Sequence, residues 1–283
     1  MITASQDTSM LLQSISDREF ALFQVLIHRE SGILLSPVKK AMLVGRLNKR
    51  LRDLGLNSFS AYYRRIVEGD NAERVRMIDC ICTNETRFFR EPGHFDFLEQ
   101  HVFPEWASGH ARTIRVWSAG CSTGEEPYSL AMTLLHHFPT SAGWDIEIIG
   151  TDLSTRALER ARAAVWPLEK AREIPLGYRK VFMLRGTRSQ EGKMKAGLDI
   201  RSVIKFQHLN LVDEAYTVTG LFDLIFCRNV MIYFDPQNKV RVVDRLLNHL
   251  AQRGYLFLGH AESLTGMTDR VRGVGPMVYR RIE

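Results

Sequence analysis

The rhythm of apolar positions changes once along this chain. As far as about Ile81 they recur at intervals of three and four, the period of helices with one buried stripe. Ser16-Asp-Arg-Glu19 has the form of a capping box, and Phe20, Phe23 and Ile27 follow it at helical spacing. Ser36-Pro37 reads as an N-cap with proline at the first helical position, opening a helix that runs to about Leu54 and stops at Gly55. Ser58 to about Val67 reads as a third helix and Asn71 to Ile81 as a fourth. No strand-like alternation interrupts them, so this part is predicted to be a small helical bundle.

Beyond Pro92, short apolar runs alternate with amphipathic stretches. Ile114–Ser118, Ile146–Gly150, Val203–Phe206, Phe222–Cys227 and Tyr255–Leu258 are predicted strands, with Met277–Arg281 a candidate last one. Pro127–His137, Ser154–Ala164 and Pro236–Ala251 are predicted helices. This alternation predicts an α/β domain whose mostly parallel sheet is covered by helices on both faces. The rhythm breaks between Trp166 and Phe206, where Lys180–Leu184, Lys193–Lys195 and Ser202–Phe206 are short runs separated by turns. An inserted antiparallel β-subdomain is expected there. Between the two rhythms lies Thr83-Asn-Glu-Thr-Arg-Phe-Phe-Arg-Glu-Pro92, polar except for Phe88-Phe89. Paired aromatics favour burial, so this linker is expected to pack into a neighbouring site.

Composition narrows the function classes. The 283 residues are 45% hydrophobic and 25% charged, ordinary for a globular protein that can bury a sizeable core. No run approaches a membrane-spanning length, and the N-terminus lacks the basic start and apolar block of a secretory signal. Cys80, Cys82, Cys121 and Cys227 form no C-x-x-C pair, which suits a reducing cytoplasm. A net charge of +6 favours an acidic partner and is too mild to imply nucleic acid. On the helix after Pro37, Leu43, Val44, Leu47, Leu51 and Leu54 share one arc, while Lys39, Arg46, Lys49, Arg50 and Arg52 lie opposite. That basic face is either plain solvated surface or a dock for an acidic partner.

In an open parallel sheet, ligands bind beyond the carboxyl ends of the strands. Arg115-Val-Trp-Ser-Ala-Gly120-Cys-Ser-Thr-Gly124-Glu-Glu-Pro-Tyr128 reads as a strand, a glycine-marked loop and a helix start. The glycines, Gly120 and Gly124, let the backbone approach a ligand closely. Glu125 and Glu126 place carboxylates in the first turn of the helix, where a phosphate would be repelled and a cationic cofactor such as S-adenosylmethionine would be held. Asp152 ends the second strand, in the place of a carboxylate that accepts from ribose hydroxyls. Asn210, between Leu209 and Leu211, follows the third and offers an edge for an adenine. Arg228, Asn229 and Tyr233 follow the fourth. Each has an ordinary alternative: Ser122 and Thr123 as capping-box residues, Asp152 as a prelude to a Ser154 cap, Asn210 as a turn residue, Tyr233 as core. Together, at four successive strand ends, they favour a nucleoside-bearing cofactor. The dinucleotide G-x-G-x-x-G is absent. No metal-ligand cluster is evident.

Three long motifs carry a family resemblance. Thr83-Asn84-Glu-Thr86-Arg-Phe-Phe-Arg90-Glu, Val116-Trp-Ser-Ala…Ser122-Thr-Gly-Glu-Glu-Pro-Tyr-Ser129 and Phe226-Cys-Arg-Asn-Val-Met-Ile-Tyr-Phe234 resemble the bacterial chemotaxis receptor methyltransferases, the CheR family. Gly259-His260-Ala-Glu-Ser263 resembles the family's G-H-S-E-type motif, with Ala261 a departure. The likeness runs from about Ser16 to the end. It implies a class I S-adenosylmethionine-dependent methyltransferase fold, a Rossmann-like sheet with a small antiparallel β-insertion, behind an all-α N-terminal domain. The implied organisation is a receptor-docking domain at 1–82, a linker at 83–95 that contributes to the active site, and a methyltransferase domain at 96–283 with its insertion at about 167–206.

The resemblance further implies methyl transfer from S-adenosylmethionine to glutamate side chains of chemoreceptors, leaving S-adenosylhomocysteine, by a cytoplasmic protein recruited to membrane receptor arrays. It carries cofactor contacts onto Asn84, Thr86, Arg90, Glu125 or Glu126, Asp152, Asn210, Leu211, Arg228 and Asn229, and leaves open which glutamate serves. For the chemistry, Arg90 can hold the acceptor carboxylate by a two-pronged contact and Tyr233 can orient it. In some members the β-insertion grips a short peptide from the receptor's C-terminus, and Arg185-Gly-Thr-Arg188 with Gly192 has a similar form here. Methylation of nucleic acid or a small molecule is disfavoured, because the place of an N/D-P-P-Y/F motif holds Arg228-Asn-Val-Met-Ile and no stacking platform is evident. A noncatalytic cofactor sensor is disfavoured by intact Arg90, Asp152 and Tyr233.

Overall fold

Local signals set the first helices. The computed structural model describes residues 14–282, which fall into two compact units divided between Cys82 and Thr83. In the first unit, α1 (Asp17–Ser31) opens on a capping box: the Ser16 hydroxyl accepts from Glu19 N at 3.2 Å, and the Glu19 carboxylate accepts from Ser16 N at 2.9 Å. It ends at Gly32 with φ 70°. A single 3₁₀ turn, Pro37–Lys39, leads into α2 (Lys40–Asp53), with Ser36 at the N-cap and Pro37 at the first helical position as read, though the Ser36 side chain makes no cap bond. Ser58 and Asp70 cap α3 (Phe59–Val67) and α4 (Asn71–Ile81). Phe23 sits at the centre, stacked on Tyr62 and edge-on to Phe59, each 6.1 Å away.

The basic face of α2 is less exposed than its sequence suggests. Arg50 forms a two-pronged pair with buried Glu73 at 2.9 and 2.6 Å, and Glu73 also accepts from the Tyr62 hydroxyl at 2.8 Å. Arg46 donates to the Ile81 and Cys82 carbonyls. Both arginines are therefore tied into the bundle, and Lys39, Lys49 and Arg52 remain exposed.

The second unit opens with α5 (Gly93–Phe97), a π turn over Leu98–Val102 and α6 (Phe103–Ser108). Its main sheet then takes β1 (Thr113–Ala119), β2 (Asp145–Asp152), β6 (Ile204–His208), β7 (Phe222–Cys227) and β8 (Leu250–Leu258), all parallel, in the order β6-β2-β1-β7-β8. Two antiparallel strands, β9 (Val271–Gly275) and β10 (Val278–Arg281), extend it as β8-β10-β9. Between β1 and β2 runs α7 (Glu125–His137), after β2 comes α8 (Thr155–Ala163), and α11 (Pro236–Asn248) joins β7 to β8. The strands' two-residue period splits the core. Val116, Phe226 and Phe257 enter one cluster, while their neighbours Trp117, Ile225 and Leu256 enter the other, packed on Val242, Val243, Leu246 and Leu247 of α11.

The small sheet has order β3-β5-β4 and is antiparallel: β3 (Val165–Pro167), β4 (Met183–Arg185) and β5 (Lys193–Ala196), with α9 (Leu176–Phe182) before β4 and α10 (Leu198–Ser202) after β5. Lys180–Leu184 is thus not one strand: its first half ends α9. Its outer strand is Val165–Pro167, and Ile204–His208 belongs to the main sheet instead. Pro236–Ala251 is not wholly helical either. Phe222 N donates to His249 O at 2.8 Å and Phe222 pairs with Leu250, so the ladder of β7 takes Leu250 and Ala251 from the helix.

Candidate active site

Sheet order puts the switch point between β1 and β7: from β1 the chain moves outward to β2 and β6, and from β7 outward to β8. The crevice beyond these two strand ends is the expected ligand place. The Gly120–Gly124 loop borders it. Gly120 has φ 84°, and a Cβ there would meet Val230 Cγ2 at 2.3 Å. Gly124 has φ 96°, and a Cβ would meet Ala161 Cβ at 2.9 Å. Both glycines are therefore required by packing against the β7 loop and α8, a stronger reason than the ligand approach read from sequence. Neither Ser122 nor Thr123 caps α7, since the N-cap is Gly124 without a side-chain bond. Ser122 Oγ instead donates to the Asn84 carbonyl at 3.0 Å, and Thr123 Oγ1 to Glu125 Oε2 at 2.6 Å.

The two glutamates of α7 differ in what they have left to offer. Glu125 is 1% exposed, and its other oxygen takes Lys170 Nζ at 2.5 Å, so both its oxygens are engaged. Lys170 also donates to the Thr86 carbonyl at 3.1 Å, which ties the linker to the helix start. Glu126 accepts from Ser118 Oγ at 2.7 Å, and its second oxygen has Arg228 Nη1 at 3.6 Å. Burial raises the Glu126 pKa, with Arg228 opposing. A carboxylate in that state gains from a second cation.

Asp152 accepts from Ser122 N at 2.7 Å and Ser154 N at 2.8 Å, and Ser154 caps α8 while receiving Asn84 Nδ2 at 3.3 Å. The ordinary reading of Asp152 therefore holds: its carboxylate precedes and supports the Ser154 cap. Leu209 N donates to the Asp152 carbonyl at 3.1 Å, which sets Asn210 beside it. Asn210 is also a turn residue, its Oδ1 accepting from Val212 N at 3.3 Å. Leu211 is buried in the apolar cluster with Leu209 and Val218.

Arg90 stands between two non-glycine residues of left-handed backbone, Phe89 (φ 49°) and Glu91 (φ 56°). Such a turn is strained and persists only where its surroundings over-determine it. Phe89 N donates to Ser129 Oγ at 3.0 Å, its ring stacks on Tyr178 at 5.5 Å, and Phe88 N donates to Glu173 at 2.9 Å. The Arg90 carbonyl accepts from Arg228 Nη2. The Arg228 side chain is 1% exposed, with Nε 3.4 Å from Glu91 Oε2. Arg90's guanidinium donates to the Glu85 carbonyl at 3.3 Å, and its charge is felt at Glu126.

After β7, Glu262 clamps the loop. Its Oε2 accepts from Asn229 N (2.8 Å) and Gly259 N (2.7 Å), and its Oε1 from Met231 N (2.8 Å). Gly259 leaves room for this, since a Cβ there would meet Asn229 Nδ2 at 2.6 Å. Asn229 Oδ1 is buried without a partner. Tyr233 ends the one-turn helix Met231–Tyr233, half-buried, and no hydrogen bond joins it to Arg90 among the described residues.

Hydrogen bonds thus link Asn84 to Asp152 through Ser122 and Ser154, and Arg228 links Arg90 to Glu126, beyond the ends of β1, β2 and β7. Sequence reasoning missed Lys170, Glu262 and Glu91. Glu262 and Glu91 each had a visible signal, their places in the G-H-A-E motif and at the end of the linker motif, and Lys170 had none.

Comparison with known proteins follows the same division. Residues 84–279 match the family described as CheR methyltransferase, SAM binding domain, and residues 18–82 match CheR methyltransferase, all-alpha domain. The chain belongs to the CheR methyltransferase family. It is similar to chemotaxis protein methyltransferase 2 of Pseudomonas aeruginosa (36% identity, 92% of each chain) and to the chemotaxis protein methyltransferase of Escherichia coli (37% identity, 96% of this chain and 95% of that one). It is a chemotaxis methyltransferase whose cofactor is S-adenosylmethionine. A solved glycopeptide N-methyltransferase with the same cofactor superposes at a TM-score of 0.33 with 15% identity, covering 64% of this chain and 57% of that one, and carries no argument. Among the described residues no helix is long and apolar enough to cross a membrane. The crevice fits the cofactor chemically: Glu126 suits a cation, Asp152 a pair of ribose hydroxyls, and the orphaned Asn229 Oδ1 a donor.

Proposed function

We propose that this enzyme methylates glutamate side chains of chemoreceptors, forming glutamyl methyl esters, as a cytoplasmic protein recruited to receptor arrays. The observation that carries the reading is the turn that presents Arg90, left-handed at Phe89 and Glu91 on either side and fixed by Arg228 Nη2 on the Arg90 carbonyl. When bound, S-adenosylmethionine supplies a methyl group on a sulfonium. Glu126 holds its ammonium, Asp152 its ribose, Asn210 and Leu211 its adenine, and Asn84, Thr86, Arg228 and Asn229 complete the wall. A glutamate has a pKa of about 4.3, so the acceptor is already a carboxylate at neutral pH and needs no general base. Arg90 grips it by two N–H groups and Tyr233 orients it, leaving one oxygen in line with the S–CH₃ bond. With the cofactor bound, the residues' task would be to hold that oxygen toward the methyl group; transfer would form the O–CH₃ bond and leave the S–CH₃ electron pair on S-adenosylhomocysteine.

Radiolabelled methyl transfer to receptor-bearing membranes, followed by brief alkali treatment, tests the reading. Label that enters a receptor band and leaves as methanol supports an ester. Label that survives alkali overturns the glutamate assignment.

Glu126→Gln is expected to weaken cofactor binding by about 10- to 100-fold, the loss of one charge-assisted contact. Because the Glu126 pKa is raised above 4.5, protons compete with the ammonium as pH falls toward that raised value. Wild-type affinity should therefore drop on acidification, and the variant's should stay flat, as read by calorimetry.

For receptor docking, the exposed Lys39, Lys49 and Arg52 are the relevant charges. Lys49→Glu with Arg52→Glu should raise the KM for receptor and flatten its salt dependence, with kcat unchanged. Arg50 lies outside that test, since its charge is paired with Glu73. A receptor-tail peptide is expected to add to the exposed edge of β4 in the β3-β5-β4 sheet, beside Arg185-Gly-Thr-Arg188. Titration calorimetry with a set of tail peptides checks this, and silence from all of them rejects it.

A further inference from the structure

Glu91, His94 and His260 meet on one side of Arg228. The carboxylate oxygen and two imidazole nitrogens all lie within 4.8 Å of one another. His94 Nδ1 is 3.5 Å from Glu91 Oε2, and His260 Nε2 is 3.9 Å from the same oxygen. His94 is 3% exposed, and both its ring nitrogens are buried without a hydrogen-bond partner, as is Glu91 Oε2. The Pro276 carbonyl lies beside the ring without a formed hydrogen bond. A buried imidazole normally has a partner for at least one nitrogen.

From this geometry we infer a binding site for a divalent transition-metal ion of the zinc type, ligated by Glu91 Oε2, His94 Nδ1 and His260 Nε2. Two imidazoles and one carboxylate are a zinc-type donor set, with a fourth position left to water. Metal–ligand bonds of about 2.1 Å in a tetrahedron place donors about 3.4 Å apart. The Glu91–His94 separation already meets this. His260, with 65% of its side chain exposed, has room to swing the remaining distance. Arg228 is the charge that opposes a cation here, and Glu126 at 3.6 Å balances it from the other side. Because Glu91 immediately follows Arg90, an ion here would pin the strained turn.

The test uses the full chain stripped with chelator and titrated with Co(II). One equivalent giving the intense visible bands of tetrahedral coordination, displaced by Zn(II), supports the site. His260→Ala, at an exposed position that should not disturb folding, should weaken binding at least 10-fold, and Glu91→Gln likewise. A thermal midpoint that rises with Zn(II) in the wild type and not in His260→Ala adds a second readout. Absence of Co(II) bands at protein-equivalent metal overturns the inference. So does one-equivalent binding that survives His260→Ala unchanged, since the ion would then sit elsewhere. None of these readouts depends on the acceptor being glutamate.

Discussion

Replacing Arg228 with methionine is expected to destabilise the second unit by about 3–5 kcal/mol, the range for removing one partner from a buried ion pair. The arginine is 1% exposed and stands between Glu91 at 3.4 Å and Glu126 at 3.6 Å, with the Arg90 carbonyl on its Nη2. Without it two carboxylates are left buried and facing each other. Their pKa values should rise well above the ordinary carboxylate range. A raised pKa gives stability that is present at low pH and lost as pH climbs through it. The deficit should therefore be larger at pH 8 than at pH 5, and Glu126→Gln added to the variant should recover part of it. Denaturant unfolding at the two pH values measures this. Equal deficits at both would mean that Arg228 acts by packing on Phe226 rather than by charge.

Arg90→Ala should lower kcat on receptor by about 100-fold or more, the usual cost of removing one preorganised donor at a reacting group. Cofactor affinity should fall far less, because Glu126 and Asp152 are untouched. Arg90→Lys should recover only a fraction, since an ammonium keeps the charge and loses the two-pronged fork. Turnover assays paired with calorimetry separate the two effects. Near-normal turnover in Arg90→Ala would remove Arg90 from the chemistry and leave it a structural part of the turn.

The features read correctly from sequence are those whose cause is local. The Ser16–Glu19 capping box works across three residues, and the apolar runs at β1, β2 and β7 need only the two-residue period. The positions of the polar residues at the strand ends were legible because they follow from the strand bounds alone. Errors arose where a distant partner decided the matter. Leu250 and Ala251 look like the end of a helix until β7 pairs with them. Arg50 looks like solvated charge until Glu73, on another helix, takes it up. The roles of Lys170 and Glu91 rest on partners 84 and 138 residues away, beyond any periodicity. The Glu91–His94–His260 cluster is invisible for the same reason, its ends being 169 residues apart.

The Arg228–Arg90 contact has a consequence for synthesis. It joins residues 138 positions apart, and the linker turn has no guanidinium to close on until β7 has been made. A ribosome adding about 5–20 residues per second leaves the glycine loop and Asp152 waiting for seconds without it. An emerging chain cut anywhere before Arg228 carries half of a crevice. Affinity for S-adenosylmethionine is thereby expected only once synthesis has passed Arg228: shorter products should neither retain the cofactor nor drain it from the cell.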